Sequence, residues 1–218
     1  PKSNLASMGI YVFTWEKLRK YLEQDEEDPK SQNDFGKNVL PAMLNAGEAM
    51  YAYRFEGYWK DVGTIDSLWE SNMDLLDPNV PLELNDPECA ALARNPGMPP
   101  RGGARGGTSR ESLAAEGCHG YGTGGCAVVF AGVYVAPGGA VRDSIIMPGA
   151  RSEEGATVQY AIVAEDSVVG ANSVVGQRPE DVENKEDWGV AGIGPGCKLA
   201  PGTVVPPKAM IDAEEVEK

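Results

Sequence analysis

Histidine and cysteine are scarce in this chain of 218 residues. His119 is the only histidine, and the four cysteines, Cys89, Cys118, Cys126 and Cys197, form no CxxC pair. That supply and spacing exclude an ordinary structural zinc site. The cysteines read as reduced, unpaired thiols of a cytoplasmic protein. There is no signal-like N-terminus and no apolar run of about 18 residues, so no membrane-spanning helix is expected. Basic residues are outnumbered, 19 against 33 acidic ones, giving a net charge of −14. A uniformly acidic surface repels phosphate backbones, which excludes nucleic acid as a partner. A small anionic ligand would need a locally basic or dipole-lined pocket.

Hydrophobic residues make up 42% of the chain and charged ones 24%, the balance of a globular protein rather than a disordered one. The 27 glycines and 16 prolines cluster after Asn95, as many short strands and turns require. The chain opens on Pro1, with its first apolar run already at 8–13. For an α/β enzyme this reads as a fragment.

Residues 8–13 are β-branched and aromatic and predict a buried strand. Thr14 is placed to cap a following helix, with Glu16 in its first turn and Trp15, Leu18 and Leu22 on one face. A second helix is expected over 38–45, started or bent at Pro41 and closed by Gly47. Residues 50–55 alternate as another strand. Thr64 caps a third helix whose apolar face is Ile65, Leu68, Trp69, Met73 and Leu76; Asp77-Pro78 stops it.

The second half repeats. Aliphatic residues recur about every six positions at Val129, Val135, Val141, Ile146, Val163, Val169 and Val175, and again at Ile193, Leu199 and Val205. Small residues follow many of them, among them Gly139, Ala150, Ser167 and Ser173, with Cys197 and Thr203 in the same slot later. Positions 135, 152 and 169 lie 17 apart, one turn of three short faces. Each face sends one aliphatic side chain into a narrow core, and a small residue lets the chain turn the corner. Neighbouring coils then pair as parallel strands about 4.8 Å apart. The pattern is that of a solenoid. Ser152 stands where an aliphatic is expected, and Gly103 and Ser109 are similarly weak, so the early coils are expected to be the least stable. The interval 177–192 breaks the period and is expected to loop out, with Trp188 packing back. Arg101 to Gly107 superficially matches an RGG tract or a phosphate loop, but the acidic balance and the lack of a strand-to-helix frame favour a simple loop.

One constellation carries chemistry. In Tyr58-Trp59-Lys60-Asp61-Val62-Gly63-Thr64 a carboxylate lies between an aromatic ring and a tight glycine turn, just before a helix start. Asp61 there can hold a sugar hydroxyl or a Mg²⁺ ion, both of which need oxygen ligands. Gly63 allows close backbone approach, and Trp59 offers a flat apolar face. The same residues also suit a plain turn that helps cap the next helix, and spacing alone leaves both readings open.

Residues 6–13, Asp34-Phe35-Gly36-Lys37, the run 57–70 and Asn72-Met73-Asp74-Leu75 closely resemble bacterial glucose-1-phosphate adenylyltransferases in content, order and gaps. Ile145 to Ala150 and Pro206 to Ile211 resemble that family's hexapeptide repeats. The resemblance implies a mixed fold: the C-terminal part of an α/β (Rossmann-like) nucleotidyltransferase domain, then a left-handed parallel β-helix of hexapeptide repeats. The expected division is 1–78 for the catalytic piece, 79–108 for a linker and irregular first coil, 109–211 for the β-helix with the 177–192 insertion, and 212–218 for a tail.

The implied reaction joins ATP and glucose 1-phosphate into ADP-glucose and pyrophosphate, with Mg²⁺ as cofactor. Asp61 matches the aspartate of the Trp-x-Asp-x-Gly-Thr motif, implied to be catalytic, to touch the sugar and to be associated with the metal. Ser7 matches the serine that touches glucose hydroxyls, and Gly9 and Trp59 complete the implied substrate contacts. The family's glycine-rich nucleotide loop, first catalytic aspartate and sugar-phosphate lysine lie upstream of anything here, and Asn33 stands where many relatives carry histidine. This polypeptide alone is therefore expected to be inactive. A homo- or hetero-tetramer through the β-helix, with allosteric control, is also implied. Two alternatives stand beside this reading. A hexapeptide-repeat acyltransferase would need His119 as its base and would leave 7–76 without a role. A non-catalytic regulatory or assembly subunit of the same enzyme would have no need of the intact Asp61 motif.

Overall fold

The structure is a computed structural model, and it describes residues 4–81, 102–103, 108–110, 112–115, 117–120 and 122–213. The chain divides into two compact units, 1–57 and 58–218.

In the first unit, helix α1 (Trp15–Glu27) follows Thr14, whose side chain makes no capping bond. The buried side chain of α1 is Tyr21, not Trp15, which is 64% exposed. Tyr21 packs with Val39 and Met43, flanked by Phe13, Leu18 and Leu22. A wide helical turn at Phe35–Val39 runs into α2 (Leu40–Asn45), with Pro41 in its first turn and Asp34 accepting from the Lys37 amide at 2.8 Å. Gly47, at φ +74°, ends it. Glu48 then ties the unit together, accepting from Lys17 at 2.8 Å and from the Tyr21 hydroxyl at 3.1 Å. The strands expected over 8–13 and 50–55 are not formed. Both segments lie outside any helix or sheet, because among the described residues neither has a neighbour to complete a hydrogen-bonded ladder.

The second unit opens on helix α3 (Ile65–Met73), continued by a 3₁₀ turn at Asp74–Leu76. Its capping box is complete: the Ser67 amide donates to Thr64 Oγ1 at 3.2 Å and the Thr64 amide to Ser67 Oγ at 3.1 Å. Of the segment 79–108, residues 82–101 and 104–107 lie outside the described residues. The strands that follow are β1 (Gly102–Gly103), β2 (Thr108–Arg110), β3 (Leu113–Ala114), β4 (His119–Gly120), β5 (Thr123–Gly125) and β6 (Val128–Val129). Then come β7 (Tyr134–Val135), β8 (Ala140–Arg142), β9 (Ile145–Ile146), β10 (Arg151–Ser152), β11 (Thr157–Gln159) and β12 (Ala161–Val163). The last are β13 (Val168–Val169), β14 (Val174–Val175), β15 (Ala191–Ile193), β16 (Val204–Val205) and β17 (Met210–Ile211).

They stack into three parallel sheets. One runs β1-β4-β7-β10-β13, the second β16-β14-β11-β8-β5-β2, the third β17-β15-β12-β9-β6-β3. The interval of 17 read from the sequence is the real register: Val135, Ser152 and Val169 are laddered partners. The result is a three-sided parallel β-helix. Its core holds Val141, Ile146, Val158, Val163, Val169, Val175, Ile193 and Val205, with Ala150 and Cys197 among the small members. The corner hydroxyls are used as well, Ser167 donating to the Gly194 carbonyl at 2.7 Å and Ser173 to that of Ala200 at 3.1 Å. Between β14 and β15 the chain leaves the coil and makes two 3₁₀ turns. Trp188 returns, donating to the Gln177 carbonyl at 2.8 Å.

Ser152 is the flaw that the pattern flagged. It is buried between Val135 and Val169, and its hydroxyl has no hydrogen-bond partner among the described residues. A buried unpaired hydroxyl costs about 1–3 kcal/mol. Ser152→Val removes it and restores the aliphatic column. The variant is expected to be about 1–2 kcal/mol more stable, read as a higher urea midpoint at unchanged m-value. A lower midpoint would show that the column has no room for the extra methyl.

Candidate functional site

The Asp61 loop is held from two sides by its own sequence neighbours. Tyr58 donates its hydroxyl to Asp74 Oδ2 at 2.8 Å, and Lys60 reaches the same oxygen at 3.2 Å and Glu70 Oε2 at 3.1 Å. Glu70 and Asp74 are four apart at the end of α3, so both carboxylates face the loop. Hydrogen bonding to Glu70 leads, with Asp74 adding to it, in holding the Lys60 ammonium above its ordinary range against the opposing effect of desolvation. Desolvation first, then the Asp74 carboxylate, push the Tyr58 phenol up.

Within the loop, Asp61 Oδ1 accepts from the Gly63 amide at 3.0 Å. A Cβ on Gly63 would come within 3.2 Å of that same oxygen, so glycine keeps the turn tight. Asp61 is exposed, and its other oxygen has no partner among the described residues. Trp59 is 46% exposed, an unusual position for an indole in a loop.

Helix α3 then mounts this loop on the β-helix. Leu68, Trp69 and Met73 pack against Ile145, Ile162 and Val190, the outward residues of the third sheet and of the insertion's return. Trp69 donates its indole N–H to the Asp143 carbonyl at 2.7 Å, and Asp66 accepts from the Val190 amide at 3.4 Å. The corner it meets is unusual. Cys126, Asp143 and Tyr160 occupy successive coils with φ of +48°, +44° and +46°. The Tyr160 ring lies between Trp69, at 5.8 Å, and Trp188, at 5.4 Å edge-on. The sequence shows that Trp69 lies on the apolar face of α3 and that Trp188 packs back, but not that both meet Tyr160; the Glu70–Asp74 spacing was the one signal for the brace on Lys60.

Asp143 carries a pH dependence. Partial burial raises its carboxyl above the ordinary aspartate range, and Glu180 adds to this; Arg178 and Arg142 pull the other way. The folded protein therefore holds this proton more tightly than the unfolded chain. Its stabilising effect is present at low pH and is lost as pH rises from about 3.9, the unfolded value, through the higher folded value. Asp143→Asn keeps a residue that tolerates positive φ and removes the charge. Thermal unfolding from pH 4 to 7 should show the variant gaining on the parent as pH rises; parallel curves would refute this.

In the first unit, Ser7 Oγ accepts from the Gly9 amide at 3.2 Å and lies 2.8 Å from the Tyr11 hydroxyl. Gly9 has φ +74°, and among the described residues nothing lies within 4 Å of an added Cβ. The structure thus brings Ser7 to Gly9 in one unit and Asp61 to Gly63, beside Trp59, in the other. His119 lies exposed on β4. Among the described residues no group of three or more His, Cys, Asp or Glu side chains gathers as a metal site. No helix there is long and apolar enough to cross a membrane.

Comparison with known proteins follows the same division. Residues 1–78 match the family model described as Nucleotidyl transferase, and 100–194 match that of the GlmU-like C-terminal hexapeptide. The fold and loop define a nucleotidyltransferase portion followed by a hexapeptide β-helix. The chain is 44% identical to a glucose-1-phosphate adenylyltransferase of Desulforamulus reducens over 185 residues, and 48% identical to those of Bacillus thuringiensis and Bacillus anthracis over 180. By sequence the chain is a homologue of glucose-1-phosphate adenylyltransferases, with a Nucleotidyl transferase match followed by a hexapeptide match. Each match covers 83% of this chain but only 46–47% of the relative, so the chain spans about half the length of the curated relatives it matches.

Proposed function

We propose that this chain is the sugar-binding and scaffold portion of an enzyme that makes ADP-glucose and pyrophosphate from ATP and glucose 1-phosphate. The observation that carries it is the Asp61 loop. Its carboxylate is exposed, shaped by Gly63, flanked by an open indole and braced by Tyr58 and Lys60 on Asp74. In the second unit Asp61 would accept a glucose hydroxyl with Trp59 against the sugar ring; in the first unit Ser7 and the Gly9 backbone would bind sugar hydroxyls. The sugar phosphate is already an ionised nucleophile, so alignment and charge neutralisation matter more than a general base.

Mg²⁺ would take one oxygen from Asp61 and fill its other positions with phosphate and water, as this ion prefers. When bound, it would neutralise phosphate charge. We assign the domain limits 1–78 and 109–211, a tetrameric assembly through the β-helix, allosteric control and a cytoplasmic location to the same reading. The test is a single polypeptide that joins these 218 residues to the part of the Bacillus thuringiensis relative that the match leaves uncovered. Pyrophosphate release from ATP and glucose 1-phosphate near the relative's own rate is expected. A folded chimera without turnover would overturn the proposal.

A further inference from the structure

The insertion 177–192 interrupts the β-helix without serving its ladders, since β12 pairs with β15 and β14 with β16 across the interruption. It is nevertheless a closed structure. Trp188 ties its end to its start by donating to the Gln177 carbonyl, Gln177 Nε2 donates to the Asp181 carbonyl at 2.7 Å, and Lys208 reaches the Glu186 carbonyl. Compact loops closed by their own side chains are frequently functional. This one leans on α3. Val190 is buried with Ile145 and Ile162 under Leu68, Trp69 and Met73, and its amide donates to Asp66 Oδ1 at 3.4 Å. Trp188 meets the Tyr160 ring edge-on, and Tyr160 meets Trp69. Asp66 lies in the first turn of α3, the turn that Thr64 caps, and Gly63 and Asp61 come directly before that cap. At the other end of α3, Glu70 and Asp74 hold Lys60, and Asp74 also holds Tyr58. Burial alternates along the loop: Tyr58 and Lys60 are half-buried, Trp59 and Asp61 exposed. The helix that the insertion grips is therefore the helix that holds both ends of the Asp61 loop.

We propose that the insertion is a positioning element for the Asp61 loop. Through Val190 on Asp66, and through Trp188 on Tyr160 and Trp69, it fixes α3, and α3 fixes the carboxylate and the indole offered to the sugar. Trp188 acts through Tyr160 and α3, so it is a positioning residue rather than a catalytic one. Such a seat has a clear use, because a misplacement of about 1 Å at a reacting centre can cost about a hundredfold in rate. The effect on sugar binding rests on the proposed function of Asp61; the mechanical coupling does not.

The first readout is ¹⁵N relaxation of the 218-residue chain. The amides of 61–64 are expected to be rigid in the parent, with order parameters of about 0.85, and to fall below about 0.6 in Trp188→Ala, while β10 and β13 on another face stay rigid. Trp188→Phe keeps a ring against Tyr160 and should stay near the parent. Asp66→Ala removes the Val190 tie at an exposed residue, so it carries the test if Trp188→Ala fails to fold; Asp66→Asn keeps the acceptor oxygen and should rescue it. The second readout is kinetics in the joined polypeptide. Trp188→Ala, or Asp66→Ala in its place, should raise KM for glucose 1-phosphate about tenfold and leave kcat and KM for ATP within about twofold. A merely structural role would lower the urea midpoint and leave both KM values alone. That result would overturn the proposal, as would a loop already mobile in the parent or one that stays rigid in the folded variants. If the parent joined polypeptide releases no pyrophosphate, the functional reading falls, and the relaxation of 61–64 alone decides the coupling.

Discussion

Gly176→Ala is expected to destabilise the β-helix by about 3 kcal/mol or more. Gly176 follows β14, at the point where the chain leaves the coil for the insertion. Its φ is +72°, which costs an L-residue about 1–2 kcal/mol. Space is the larger problem. An added Cβ would fall on the carbonyl oxygen of Gln159, with the Tyr160 carbonyl at 3.2 Å. Both are backbone atoms of the preceding coil and cannot rotate away. Retreat is blocked on the other side, where the Gly176 amide donates to the Val205 carbonyl at 2.9 Å. Relief therefore requires a shift of a laddered coil. Gly202 provides the control, with φ +75° and, among the described residues, nothing within 4 Å of an added Cβ. Gly202→Ala should cost only the backbone term, about 1–2 kcal/mol. Urea unfolding of the two variants separates the contributions; equal losses would show that the coil yields freely at Gly176.

Asp61→Asn in the joined polypeptide is expected to lower kcat/KM for ADP-glucose synthesis by about 10²–10³-fold, or roughly 2.7–4 kcal/mol of transition-state stabilisation. Asparagine has the same size and keeps an oxygen for the Gly63 amide, so the turn should survive. Only the charge is lost. The unfolding midpoint should therefore stay where it is. Asp61→Ala makes the contrast, since it removes the turn's acceptor as well and should lower stability in addition. If the D61N enzyme kept activity within a few-fold of the parent, Asp61 would be a turn residue and nothing more.

The two predictions differ in how far the sequence foresaw them. The β-helix was legible because its code is local: one aliphatic per face, a small residue at the corner, an interval of 17. The interval of 17 puts Val135, Ser152 and Val169 in one column, and they are laddered partners. The Thr64 cap and the turn at Asp61 were legible for the same reason, because the interacting groups lie within three residues of one another. The segments 8–13 and 50–55 were misread as strands. Their alternation reports what each residue would bury, but a strand exists only where a second backbone completes its ladder. Trp15 was placed on the buried face of α1 by spacing, yet Tyr21 took the core because Val39, Met43 and Glu48 approach from that side.

What the amino-acid order determined alone is therefore the set of short-range choices: the hexapeptide period, the corner residues, the helix starts and the carboxylate in its glycine turn. Tertiary structure decided everything that joins distant positions. It set Lys60 and Tyr58 on Asp74, put Trp69 on the carbonyl of Asp143, brought Tyr160 against two indoles, and left Ile10 and Val12 bare. The physical reason is range. Propensity and periodicity act over a turn or a coil, whereas a contact between residues 69 and 143 exists only after the chain has paid the entropy of closing the loop between them.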